Sequence, residues 1–279
     1  MPPLTDTART LLFVPGNRPE RFDKAAGAGA DLVVVDLEDA VAPDEKEPAR
    51  RLALAWSGIT RAVVRINAAG TDWHEGDLDG ISAAGRTGPV AVMLAKADAA
   101  SVASVARRLP ADVPILALVE TALGIRDAFA LAEIPAVTRL VFGSIDYSLD
   151  LGIVPTPPAE DELLLARSTL VLASKAAGIA APIDGVTRDL DDLELVERDA
   201  RRAKNLGFGG KLCIHPRQLA ATRTGFAPSE AEVARARLIV AASTDGAAAR
   251  LGGEMIDAPV LSQALRILAE VDAAQGPTS

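Results

Sequence analysis

The chain has 279 residues, 49% of them hydrophobic, with 29 basic against 38 acidic side chains and a single cysteine. A formal net charge of -9 argues against nucleic-acid binding, which calls for a basic face, and one cysteine excludes an internal disulfide. The apolar stretches fall far short of the ~20 residues that span a bilayer, and Met-Pro-Pro-Leu-Thr-Asp at the start lacks the basic and apolar segments of a secretion signal, so the expectation is a cytoplasmic protein without a membrane anchor.

Apolar runs of strand length recur along the chain, and each stops at a polar or charged residue. Residues 10–16 lead to Asn17 and Arg18, 30–35 to Asp36, Glu38 and Asp39, 62–64 to Arg65 and Asn67, and 91–95 to Lys96. Residues 114–119 stop at Glu120, 139–145 at Asp146, 180–183 at Asp184, and 210–214 at His215. Between them, helical periodicity covers 19–29, 44–57, 76–87, 98–109, 122–133, 160–178, 189–206 and 217–223. Eight continuous apolar runs alternating with helices predict an α/β protein, a (β/α)8 TIM barrel, which typically takes about 250 residues. The barrel is expected over 1–225. The surplus, 226–279, carries two further helical patterns at 228–242 and 259–274 around a Gly/Ala-rich joint at 246–253, and reads as a C-terminal helical arm suited to packing on a neighbouring subunit. A doubly wound open sheet is less well supported, because no Gly-x-Gly-x-x-Gly follows the first strand.

In such a barrel the chemistry collects at the carboxyl ends of the strands. Glu120 and Asp146, two acids on nearby strands without a histidine or cysteine partner, suit a hard divalent cation such as Mg2+. A 2-oxo acid chelates that cation through its keto and carboxylate oxygens. A guanidinium beside it, here Arg65, can stabilise an oxyanion while a carbon-carbon bond forms or breaks; the plainer role for Arg65 is to neutralise the acidic mouth. Lys96 sits where a Schiff-base lysine would, but surrounding acids hold an ammonium protonated, so an ion-pair role is preferred. His74 is expected to be a solvated loop residue. His215 is either catalytic or a hydrogen-bonded structural residue, and neither histidine has zinc-ligand spacing. Cys213, inside the eighth strand, is read as a small buried apolar side chain. No Gly-x-Ser-x-Gly elbow is present. Arg18 could meet a phosphate or carboxylate; the alternative is an exposed pair with Glu20.

Six segments together resemble a known family: Phe-Val-Pro-Gly-Asn-Arg-Pro-Glu-Arg (13–21), Asp-Leu-Glu-Asp-Ala-Val (36–41), Val-Arg-Ile-Asn (64–67), Met-Leu-Ala-Lys (93–96), Val-Glu-Thr-Ala (119–122) and Met-Ile-Asp-Ala-Pro-Val (255–260). In this order they are similar to the citrate lyase β subunit and its relatives in the HpcH/HpaI aldolase and citrate lyase superfamily. The resemblance implies a Mg2+-dependent carbon-carbon lyase that cleaves, or forms by Claisen condensation, a 3-hydroxyacyl thioester such as citryl-, malyl- or citramalyl-CoA. The products are acetyl-CoA and a 2-oxo acid, with coenzyme A or an acyl carrier as the thiol. It further implies Glu120 and Asp146 as metal ligands, and Arg65, Glu120 and Arg18 at the substrate. Asp257 is the implied acid/base group, reaching from the arm of a neighbouring subunit in an oligomer built on trimers. Glu38, Asp39 and Lys96 stand behind these, with the two acids ordering metal-bound water.

The chain departs from the family pattern in three places. Ala95 replaces a usual proline, Ile145 stands where an acid often precedes Asp146, and Asp-Leu-Glu-Asp lacks the histidine of the aldolase branch. The last favours the thioester lyase branch over a class II pyruvate aldolase acting on free 2-oxo acids. A non-catalytic, metabolite-binding subunit of an acyl-carrier complex is the third reading.

Overall fold

The computed structural model describes residues 3–157, 159–243, 249–251 and 254–275. Eight parallel strands close a barrel in chain order: β1 (Thr10–Pro15), β2 (Leu32–Asp36), β3 (Val63–Ile66), β4 (Ala91–Leu94), β5 (Ile115–Val119), β6 (Val137–Phe142), β7 (Ile183–Asp184) and β8 (Gly210–Cys213). β8 pairs back onto β1 through Leu11 and Leu212, which completes the expected (β/α)8 architecture.

Each strand is buried on both faces, and the two-residue period of a strand sorts its side chains. Leu11, Leu32, Val34, Val63, Met93, Leu116, Leu118, Val141 and Leu212 pack together in one cluster, the inside of the barrel. Their neighbours Leu12, Val33, Val35, Val64, Val92, Ala117, Leu140 and Phe142 join a second cluster with the surrounding helices. Burial of such an aliphatic side chain contributes about 1.5–3 kcal/mol. The inward parity then runs on into charge at the strand ends: Val34 to Asp36, Val63 to Arg65, Leu118 to Glu120.

The helices that follow the strands are α2 (Phe22–Gly27), α3 (Lys46–Ser57), α4 (His74–Ala84), α5 (Ala99–Ala106), α6 (Ala122–Arg126), α7 (Ala128–Ala132), α8 (Ser144–Leu151), α9 (Leu164–Ala177), α10 (Leu193–Leu206) and α11 (Gln218–Phe226). A short α1 (Leu4–Thr7) precedes the first strand. Local chemistry sets the boundaries: Asp98 caps α5 through a capping box with Ser101, Thr121 caps α6, and Asp192 caps α10.

Two expectations need correction. The sixth strand ends at Phe142 rather than running to Ile145, and Asp146 stands in the first turn of α8, a helix that periodicity did not separate from the strand. His74 is buried at the start of α4, where its Nδ1 lies 2.8 Å from the Asn67 carbonyl, so it is a structural residue and not a solvated one.

Met1–Phe226 and Ala227–Ser279 form two compact units. In the second, α12 (Glu230–Ala242) begins with a capping box between Ser229 and Glu232. β9 (Ala249–Leu251) and β10 (Glu254–Ile256) pair antiparallel, and α13 (Ala258–Gln275) follows. Ala236, Ile239, Ile256 and Ala264 form its small core. The two helices lie where periodicity placed them, but the segment between them contains a strand pair that was not expected; residues 244–248, 252 and 253 of that joint lie outside the described residues.

Candidate active site

Five chain segments meet at the carboxyl ends of β2 to β6. Arg65, at the end of β3, is the centre of charge. Its Nε donates to Asp36 Oδ1 at 2.7 Å and its Nη2 to Asp36 Oδ2 at 2.6 Å, a bidentate pair between adjacent strands. Nη1 lies 2.8 Å from Glu38 Oε2 and 3.6 Å from Asp39 Oδ2. The guanidinium also sits 5.0 Å from the centre of the Phe13 ring. Burial works against its charge, but Asp36, Glu38 and Glu120 outweigh that and hold Arg65 more firmly protonated than a free arginine.

Asp36 also orders the turn behind it, accepting from the Glu38 amide at 2.8 Å and the Ala40 amide at 3.1 Å. Lys46, buried on α3, donates to the carbonyls of Leu37 and Glu38 and to Asn67 Oδ1 at 2.7–2.9 Å. Asn67 is itself held by Asp77, which pairs with Arg50 at 2.8 Å. The ends of β2 and β3 are therefore tied before any ligand arrives.

Lys96 follows β4 with a left-handed φ of 49°. That backbone turns its amide onto Glu120 Oε1 at 2.8 Å, while its Nζ reaches Glu38 Oε1 at 2.5 Å. Although partial burial pulls its pKa down, Glu38 and Glu120 push it above the ordinary lysine value. The lysine is an ion-pair partner, as expected, and not a nucleophile poised as a free amine.

Glu120 is buried, and burial together with the charge of Glu38 raises its pKa to about 8 against the pull of Arg65 and the Lys96 amide. Oε2 of Glu120 fills the space beside Gly143, where a Cβ would stand 2.4 Å from it. Only glycine fits there. Asp146, half-buried in the first turn of α8, has no hydrogen-bond or ion-pair partner among the described residues.

These groups border a cavity of about 410 Å³ lined by Asp36, Asp39, Arg65, Glu120 and Asp146 together with apolar side chains. Five carboxylates, Asp36, Glu38, Asp39, Glu120 and Asp146, face two cations, Arg65 and Lys96. That excess, the raised pKa of Glu120 and the unpaired Asp146 fit a hard divalent cation held by two carboxylates, with water or ligand oxygens completing its shell. Among the described residues no group of three or more His, Cys, Asp or Glu is arranged to hold a metal.

Other residues singled out from the sequence lie apart. Arg18 is exposed and pairs with Glu20 at 2.6 Å. Asp257 is exposed in the second unit, where its Oδ1 caps α13 by accepting from the Val260 amide at 3.1 Å. His215 accepts the Arg217 amide on Nδ1 at 3.2 Å, and Cys213 is buried and free. Lys46 and Gly143 are site residues that sequence reasoning did not single out, and Asp36 was read as a strand-end acid without its bond to Arg65.

A (β/α)8 barrel with an acid-lined mouth and one central arginine defines a class, and residues 9–216 match the model of the HpcH/HpaI aldolase/citrate lyase family. The chain belongs to that family. It is 40% identical over 264 residues to a citrate lyase subunit beta-like protein of Mycobacterium tuberculosis, covering 92% of this chain and 93% of the relative. It is 33% identical to a (3S)-malyl-CoA thioesterase of Cereibacter sphaeroides, covering 91% and 89%. Among solved structures, the protein CitE of Mycobacterium tuberculosis in complex with magnesium, acetoacetate and coenzyme A superposes with a TM-score of 0.83 at 37% identity, over 95% of this chain and 98% of that one. No helix among the described residues is long and apolar enough to cross a membrane.

Proposed function

We propose that the chain is a Mg2+-dependent carbon-carbon lyase that cleaves a 3-hydroxyacyl-CoA thioester to acetyl-CoA and an oxo acid, or runs the reverse condensation. The observation that carries this reading is the cavity in which Arg65 faces buried Glu120 and unpaired Asp146. The family membership and a solved relative that holds magnesium, an oxo acid and coenzyme A support it.

Glu120 and Asp146 would hold the cation. When bound, it supplies Lewis-acid polarisation of the substrate oxygens. Arg65, fixed by Asp36, keeps N–H groups on Nη1 and Nη2 for the oxygen on which charge develops; because the guanidinium is already oriented, little reorganisation is needed as the bond breaks. Lys96 holds Glu38 against Arg65 and fixes Glu120 through its amide. Cleavage also requires a base for the C3 hydroxyl proton and an acid that returns a proton to the departing C2 carbon. Asp257 of a neighbouring copy is proposed for the proton at carbon, which makes the working enzyme an oligomer, and an arrangement built on trimers is proposed with it. Arg18, exposed near the first strand, is proposed to meet the coenzyme A end of the substrate. Glu38 and Asp39 are proposed to order water around the cation.

The test is product analysis of the pure protein with Mg2+ and, separately, malyl-, citramalyl- and citryl-CoA, each with a chelator control. Chelator-sensitive release of acetyl-CoA from one of them is expected. The (3S)-malyl-CoA thioesterase relatives give one competing outcome: free hydroxy acid and coenzyme A without acetyl-CoA would assign hydrolysis instead. No product from any thioester would move the reading to an aldolase on free oxo acids or to a subunit requiring its carrier protein.

A further inference from the structure

The charge pattern of the cavity discriminates among oxo acids. Resting on the lyase reading above, we propose that the site takes an oxo acid with one carboxylate and an apolar far end, and rejects one carrying a second carboxylate.

Among the described residues lining the cavity, Arg65 is the one cation. Two of its N–H groups are committed to Asp36 and its Nη1 lies against Glu38, so what remains serves one carboxylate or one developing oxyanion. Lys96 is not in the lining and is bound to Glu38 at 2.5 Å; Arg18 is bound to Glu20 at 2.6 Å. Leu118, Val186, Leu212 and Ile214 give the cavity an apolar wall, while Phe13 lies against the Arg65 guanidinium. A second carboxylate placed against that wall loses water and gains no counter-charge, and it adds to the excess of acids already facing the cavity. A methyl or ethyl group in the same place is favoured by the same wall.

Ile214 is the residue through which the preference can be altered. It stands just beyond β8, lines the cavity and is 40% exposed, so Ile214→Arg adds a cation to the apolar wall without disturbing a fully buried side chain. The experiment is calorimetric titration of the full chain at fixed free Mg2+ with pyruvate, 2-oxobutyrate and oxaloacetate, with no thioester present. Wild type is expected to bind 2-oxobutyrate at least about tenfold more tightly than oxaloacetate, and Ile214→Arg to narrow that gap. Oxaloacetate binding as tightly as 2-oxobutyrate in wild type, or a gap unchanged by Ile214→Arg, overturns the proposal while leaving the lyase reading intact. Absence of binding by all three acids overturns the reading of the site and this proposal with it.

Discussion

Two buried arginines sit at opposite ends of the same barrel and do opposite things. Arg65, at the carboxyl ends of the strands, lies among Asp36, Glu38 and Asp39 at 2.6–3.6 Å. Arg139, on β6, is 1% exposed and has no acid in hydrogen-bonding contact among the described residues; its Nε donates to the Ala181 carbonyl at 2.7 Å, and its Nη1 to the carbonyls of Ala8 at 2.7 Å and Thr5 at 3.1 Å. Burial pulls the pKa of Arg139 down to about 10 against the charge of Asp6, whereas the acids hold Arg65 above the ordinary value. Burial alone therefore does not identify a functional arginine. Arg139 gives three N–H groups to backbone carbonyls that need them, and Arg65 holds its free donors beside a cavity.

The sharpest way to break the contrast is to remove each guanidinium in turn. Arg65→Met leaves Asp36 buried and uncompensated, and is expected to abolish turnover and to destabilise the fold by about 3–5 kcal/mol. Arg65→Lys separates the two effects: charge is kept, bidentate geometry is lost, and kcat should fall about 10²–10³-fold with the fold retained, as read by steady-state assays beside urea unfolding. Full activity in Arg65→Lys would deny the guanidinium its role. Arg139→Met should cost about 1–3 kcal/mol through carbonyls left without donors, with kcat unchanged in whatever fraction folds.

A subtler effect concerns pH. The carboxyl of Glu120 titrates near 8 in the metal-free fold and near 4.5 when unperturbed. Between those values the folded chain keeps a proton that the unfolded chain has released, so metal-free stability falls as pH rises through the window. A cation on the carboxylate removes that loss. Thermal melts at pH 5.5 and 8.5 should therefore show a Mg2+-induced rise in Tm that is larger at the higher pH, and Glu120→Gln should lack it. An equal rise in the variant would move the cation elsewhere. The smallest effect belongs to Arg18→Ala: its exposed pair with Glu20 should leave the urea midpoint unchanged, while KM for the thioester rises if the residue meets coenzyme A.

Much of this arrangement was legible before folding, and for a physical reason. Parallel strands buried on both faces are written as unbroken apolar runs, so the point where each run meets charge marks the mouth of the barrel. Glu120, Arg65 and Lys96 were found this way. Asp146 was found but misplaced, because Gly143, Ser144 and Ile145 prolong the apolar run of β6 although the chain has already turned into α8. Asp36 was visible as an acid, but its bond to a residue 29 positions away is a matter of register between β2 and β3, which composition does not encode. Lys46 reads as one more polar residue of a surface helix; only folding reveals that its ammonium enters a nest of carbonyls behind the site, where burial lowers its pKa against the pull of Asp36 and Glu38. His74 was misread for the same reason, since a loop residue can be claimed by the Asn67 carbonyl without any local signal. Strands as short as β9 and β10 carry too few residues for an alternation to stand out.

The bonds from Arg139 to the carbonyls of Thr5 and Ala8 span 134 and 131 positions of the chain. Closing loops of that size costs configurational entropy that is recovered only when distant contacts form, so such contacts come late in assembly. During synthesis α1 emerges ahead of the barrel strands, yet the side chain that secures it is made only after five strands and the start of β6. The first helix of the chain is thus among the last pieces to be fastened, and the floor of the barrel is set only once more than its N-terminal half exists.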